Sequence, residues 1–125
     1  MMADDAMSQW LGIQITTIAP GNVVLQMVVR PEMVNGFGIA HGGITYSLSD
    51  TCLAFSSNSH GLKAVSVETS ISHLKPVKVD DILKTEIEEI NLSSRFGIYQ
   101  VKVINQNSEL VSVFKGTMYR KDEWT

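Results

Sequence analysis

One stretch of the chain, residues 44–58, contains neither Gly nor Pro and sets Ile44, Leu48, Cys52 and Phe55 at helical spacing. It is the one long helix the sequence predicts. Strand patterns follow at 65–74, stopped by Lys75-Pro76, then at 82–91, 96–104 and 110–120, with Asn105-Gln106-Asn107-Ser108 as the last turn. They read as close to sequential antiparallel hairpins. Before the long helix, residues 4–11 carry Met7, Trp10 and Leu11 as a short helix that Gly12 closes. Strands at 13–19 and 23–29, the second interrupted by Gln26, flank a Pro20-Gly21-Asn22 turn, and 31–43 is irregular. The order of elements predicts an α+β fold in which a long helix packs on an antiparallel sheet of about six strands.

The 125 residues suit one domain spanning 1–125, with no linker, repeat or low-complexity segment. Hydrophobic residues make up 44% and charged residues 18%, a globular balance rather than a disordered one. Ten Lys+Arg against 13 Asp+Glu give a net charge of -3, which argues against a nucleic-acid partner. The single cysteine, Cys52, excludes an intrachain disulfide and a cysteine-based zinc site and points to a reducing compartment. The acidic start and the lack of a long apolar run predict a soluble, cytoplasmic protein away from membranes. Ser47, Ser49, Thr51, Ser56 and Ser57 leave the long helix with one stripe committed to its own sheet. A second helix face and exposed edge strands then predict at least a dimer.

The densest cluster of unusual residues is Asn35-Gly36-Phe37-Gly38-Ile39-Ala40-His41-Gly42-Gly43, directly before the helix. Glycines let a ligand approach the backbone, and the first N–H groups of a helix lack intrahelical partners and lie at its positive end. Such a segment binds an anion or a developing oxyanion; the plainer reading is a loop that only turns the chain. Asp50 points off the core stripe, as a catalytic carboxylate or a solvated surface one would. His41 reads as a base, a donor to substrate or an orienting residue. No HxxxH or HxH spacing marks a metal site, GxSxG is absent, Cys52 has no adjacent base, and Gly36-Phe37-Gly38 belongs to no dinucleotide fingerprint.

The pattern Asn35-Gly36, His41-Gly42-Gly43, then Ser47-Leu48 and Asp50 resembles the hotdog-fold acyl-CoA thioesterases, in their phenylacetic acid degradation branch. Trp10-Leu11-Gly12-Ile13, Ala64-Val65-Ser66-Val67 and Leu74-Lys75-Pro76 extend the resemblance along nearly the whole chain. It implies a long helix wrapped by a curved sheet, paired protomers sharing two active sites, a homotetramer, and hydrolysis of acyl-CoA without metal or organic cofactor. It also implies that the Gly42 N–H polarises the thioester carbonyl while His41 and Asn35 shape that end of the site. Asp50 would be nucleophile or general base, and Ser66 would hold the water or the carboxylate. A related branch has Glu at the position of Asp50, so the Asp favours the phenylacetate type and an aromatic acyl group. Many relatives carry Gly-Asp where this chain has Asp80-Asp81, which implies an altered turn there. A hydratase of the same fold and a non-catalytic acyl-CoA binding module are the alternatives.

Spacing constrains the mechanism further. Along a regular helix Gly42 and Asp50 stand roughly 12 Å apart, too far for both to serve one thioester carbon. Two helices running antiparallel across a dimer would bring Gly42 of one chain to Asp50 of the other. Gly43 is placed with the substrate-binding residues. Met33, Val34, Phe37, Tyr46 and Phe55 line an acyl pocket or pack in the core. Lys75, Lys78 and Arg95 meet coenzyme A phosphates or are solvated surface charges.

Overall fold

A computed structural model describes residues 2–121. The short helix α1 spans Ala6–Leu11, with Asp5 as its N-cap and Gly12, at φ 73°, as its left-handed C-cap. It starts two residues later than the sequence predicts, because Met2–Asp4 forms a separate 3-10 turn. Strands β1 (Gln14–Ala19) and β2 (Asn22–Val28) form the expected hairpin. Within the irregular segment Pro31–Met33 makes a 3-10 turn. The long helix α2 runs Gly42–Asn58, beginning two residues earlier than expected because His41 caps it. Strands β3 (Ala64–His73), β4 (Ile82–Leu92), β5 (Phe96–Ile104) and β6 (Leu110–Arg120) complete the molecule, each within about a residue of its predicted span.

All six strands join one antiparallel sheet in the order β1-β2-β4-β5-β6-β3. The sequential-hairpin expectation holds for β4, β5 and β6 and fails for β3, which pairs with β6 at the far edge rather than with β4. The reason is the length of α2. Its 17 residues span roughly 25 Å, enough to carry the chain past the four strand spacings, about 19 Å in all, that separate β2 from β3. The helix touches β2, β3, β4, β5 and β6, the wrapped arrangement the family resemblance implies.

The helix is buried more broadly than its apolar stripe predicts. Thr45, Ser49, Ser56 and Ser57 are buried along with Ile44, Leu48, Cys52, Leu53 and Phe55, so the expectation of a single committed stripe is corrected. Small side chains let the helix lie close to the sheet, and Ser56 among them bonds to it. Ser56 Oγ accepts the Val23 N–H at 3.0 Å, and Thr85 Oγ1 accepts the Leu25 N–H at 2.9 Å, where β2 has run past its pairing with β4. Beyond the helix end, Ser59 Oγ accepts the Gly21 N–H at 2.8 Å and His60 Nε2 meets Glu89 Oε2 at 2.6 Å. Gly43 is exposed, and Ser47, Asp50 and Ala54 continue from it at helical spacing as a half-buried stripe. Among the described residues no helix is long and apolar enough to cross a membrane.

Candidate active site

A tight loop delivers the chain to the start of α2. Val34 and Ala40 form an antiparallel bridge, and the Asn35 N–H donates to the Ile39 carbonyl at 2.8 Å. Asn35 Oδ1 accepts the Phe37 N–H at 2.9 Å, closing an Asx turn, and Gly38 takes φ 77°, a conformation that favours glycine. Asn35 therefore holds its own loop in place. Phe37 stands at the tip, 90% exposed.

His41 ends the loop. Its N–H donates to the Met33 carbonyl at 2.8 Å, and its Nδ1 accepts the Gly43 N–H at 3.3 Å. A neutral ring whose Nδ1 accepts carries its proton on Nε2. The Gly42 N–H, first of the helix, finds no acceptor among the described residues. It stands at the positive end of the helix dipole, so this end of α2 presents hydrogen-bond donors to whatever lies beyond it.

The sequence offers no sign of the next neighbour. A Cβ at Gly42 would lie 3.1 Å from His73 Nε2, so the imidazole rests against the glycine. His73 Nδ1 is 3.3 Å from Thr45 Oγ1, which donates to the Gly42 carbonyl at 3.1 Å. His73 ends β3, and only the pairing of β3 with β6, where it faces Ser112, carries it to the start of α2.

Asp50 lies on the half-buried stripe, as expected of a side chain off the core stripe, and accepts no hydrogen bond among the described residues. Burial pushes its carboxyl above the usual 3.8, and the neighbouring charge of Asp5 pushes it further. Asp5 is there because it caps α1: its carboxylate accepts the Ser8 N–H at 3.0 Å and the Ser8 hydroxyl at 2.7 Å. Ser8 Oγ in turn lies 2.9 Å from Thr51 Oγ1 on α2. The helix is continuous from Gly42 through Asp50, so one protomer keeps the two roughly 12 Å apart.

The other expected residues disperse. Ser66 shares the inner face with Met118 beside the register shift that precedes Glu68, exposed and without a hydroxyl partner among the described residues. Tyr46 is half-buried under the sheet, bonded to Thr69 Oγ1 and set edge-on to Phe114 at 5.3 Å. Gly43 is exposed on α2. Met33 lies in the core, while Phe55 borders an open apolar groove with Met2, Ile15, Ile18 and Val23. Lys75 pairs with Glu109 at 2.5 Å near the start of β6, and the Arg95 carbonyl accepts the Arg120 N–H at the end of β6. Within one chain the backbones of these two residues stand at opposite ends of an 11-residue strand, about 30 Å apart. Burial pushes the Cys52 thiol up to about 11, which leaves it unreactive.

The family model of the thioesterase superfamily matches residues 37–112. A protein of Archaeoglobus fulgidus described as a putative esterase is 35% identical over 98% of this chain and 80% of its own length. The acyl-coenzyme A thioesterase PaaI of Escherichia coli is 34% identical over 96% of this chain and 86% of its own. The solved structure of that protein, from the phenylacetic acid degradation operon, superposes with a TM-score of 0.94 over 97% of this chain and 88% of its own. A hypothetical thioesterase protein of Streptococcus pneumoniae solved with coenzyme A is 28% identical, with a TM-score of 0.85 over 90% of this chain and 91% of its own. Matched in sequence along nearly its whole length and in the course of its backbone, the chain belongs to the thioesterase superfamily, in the hotdog-fold branch that contains PaaI.

Proposed function

We propose that the protein hydrolyses acyl-coenzyme A thioesters, with aromatic, phenylacetyl-type acyl groups preferred, to the free acid and coenzyme A. The single observation that carries this is that one helix bears both an unpartnered Gly42 N–H at its start and, two turns on, a half-buried Asp50 carboxylate without a hydrogen bond among the described residues. The relatives named above, one from a phenylacetic acid degradation operon and one holding coenzyme A, support the substrate class.

The site is shared between two protomers. Antiparallel pairing along the stripe of Gly43, Ser47, Asp50 and Ala54 sets the Gly42 N–H of one chain opposite Asp50 of the other. The N–H stabilises the oxyanion that forms as the carbonyl is attacked. Asp50 takes a proton from water, the water oxygen bonds to the acyl carbon, the C–S bond breaks, and the coenzyme A thiolate leaves and takes up the proton. Direct attack by the carboxylate uses the same geometry and passes through an acyl-Asp50 anhydride. A carboxyl held above its usual range is the better base. Asn35 and His41 hold the loop that carries Gly42 and Gly43, and Ser66 steadies the water or the carboxylate. In the Streptococcus pneumoniae protein, alanine replaces an Asp in one structure and a Thr in another. Those two positions are as far apart in sequence as Asp50 and Ser66, which supports the assignment. Phe37 and Tyr46 are assigned to the acyl side, and Lys75 and Arg95, from different chains of the pair, to the phosphates. Two such dimers form the tetramer, and the enzyme works in the cytoplasm.

The test is thiol release from acyl-CoAs running from short aliphatic to phenylacetyl and hydroxylated aromatic thioesters, wild type beside Asp50→Asn. Turnover highest on the aromatic thioesters and lowered at least about 100-fold in Asp50→Asn is expected. Absence of wild-type turnover on every thioester refutes the assignment. Labelled oxygen trapped in Asp50 after a single turnover in heavy-oxygen water selects direct attack; its absence selects the general base.

A further inference from the structure

The start of α2 holds a hydrogen-bond chain whose direction is readable. Thr45 Oγ1 donates to the Gly42 carbonyl at 3.1 Å, which uses its only proton. The same oxygen lies 3.3 Å from His73 Nδ1 and so has only lone pairs to offer it. The two contacts can both be hydrogen bonds only with His73 Nδ1 as the donor, which in the neutral ring leaves Nε2 bare, beside Gly42. Thr45 is 3% exposed, so these bonds meet little competition from water.

We propose that His73 is a positioning residue for the thioester carbonyl: through Thr45 its Nδ1–H clamps the first turn of α2, and its ring braces Gly42 so that the free N–H keeps its aim. This rests on the reading of Gly42 as the carbonyl donor. An oxyanion donor works by being held in place before the charge develops, and small displacements of such a group are costly. The Gly42 N–H has no bond of its own to hold it, so the clamp on the following carbonyl and the ring against its Cα supply that restraint. Glycine at 42 and histidine at 73 are thereby one device, since a Cβ at 42 would press on the ring.

Steady-state kinetics of His73→Phe, His73→Gln and His73→Asn on the best thioester test this, because Asn places an N–H where Nδ1 stands and the other two do not. Phe and Gln are expected to lower kcat about tenfold with KM within twofold of wild type, and Asn to recover most of that loss. If Asn falls as far as Phe, or Phe keeps full kcat, the clamp is wrong. Wild type without turnover on any acyl-CoA instead brings down the thioesterase reading, and this proposal with it. Nitrogen-15 shifts of the neutral His73 ring give a readout independent of substrate. Protonation at Nδ1 is expected, and protonation at Nε2 alone overturns the assignment.

Discussion

Asp50 carries opposing demands at the scale of a single side chain. Burial, then the charge of Asp5, raises its carboxyl above 3.8, so the ionised form is held in the folded protein at a cost in stability. A raised native pKa means the folded state binds the extra proton, and the stability this lends is full below pH 3.8 and lost as pH rises through the native value. Asp50→Asn is accordingly expected to melt higher than wild type at pH 7, with the difference shrinking as pH falls toward 3.8; thermal melts across that range check it. Asp80 is a second residue in an uncomfortable state. It adopts φ 74°, its N–H donates to the Val29 carbonyl at 2.8 Å, and the turn it serves is closed by Lys78 N–H on Asp81 Oδ2 at 2.9 Å. The turn is thus made with the left-handed backbone angle that glycine favours. Asp80→Gly is expected to stabilise by about 0.5–1 kcal/mol, read from the urea midpoint, without a change in turnover.

At the scale of elements, the position of α2 over the sheet decides where its N-terminus and half-buried stripe lie. Gly116 on β6 sets that distance, because a Cβ there would overlap Leu53 Cδ2, on a side chain wholly buried in α2. Gly116→Ala is expected to destabilise by about 1–3 kcal/mol in urea unfolding, since the core has no slack to absorb a methyl group at that contact. α1 works differently. It is too short to be stable alone, and its cap binds it to α2 through the Ser8 to Thr51 contact while setting Asp5 beside Asp50.

At the scale of the whole molecule, the proposed mechanism and the regular helix between Gly42 and Asp50 together require a second protomer to complete each site. Proline is well tolerated at the first helical position and has no N–H, so Gly42→Pro removes the donor and spares the helix, its Cβ pressing only on the His73 ring of that same inactivated end. Mixing Gly42→Pro with Asp50→Asn, each nearly inactive alone, and allowing subunits to exchange is expected to restore about a quarter of wild-type turnover, because half the pairs then hold one intact site. Turnover that stays at the level of the separate variants places both groups in one chain and refutes the shared site.

Elements and motif were legible because they rest on local rules. A run without Gly or Pro with apolar residues at helical spacing has one low-energy shape, and the glycines before it mark a backbone built for close approach, so α2, the strands and the loop from Asn35 to Gly43 could be read directly. The strand order, the burial of Ser49 and Ser56, and the arrival of His73 at Gly42 were not legible, because each depends on which distant segments pair. The chain residue by residue specifies what each segment wants to be. Only the packed sheet, by sending β3 to its far edge, decides which side chains meet at the start of the helix.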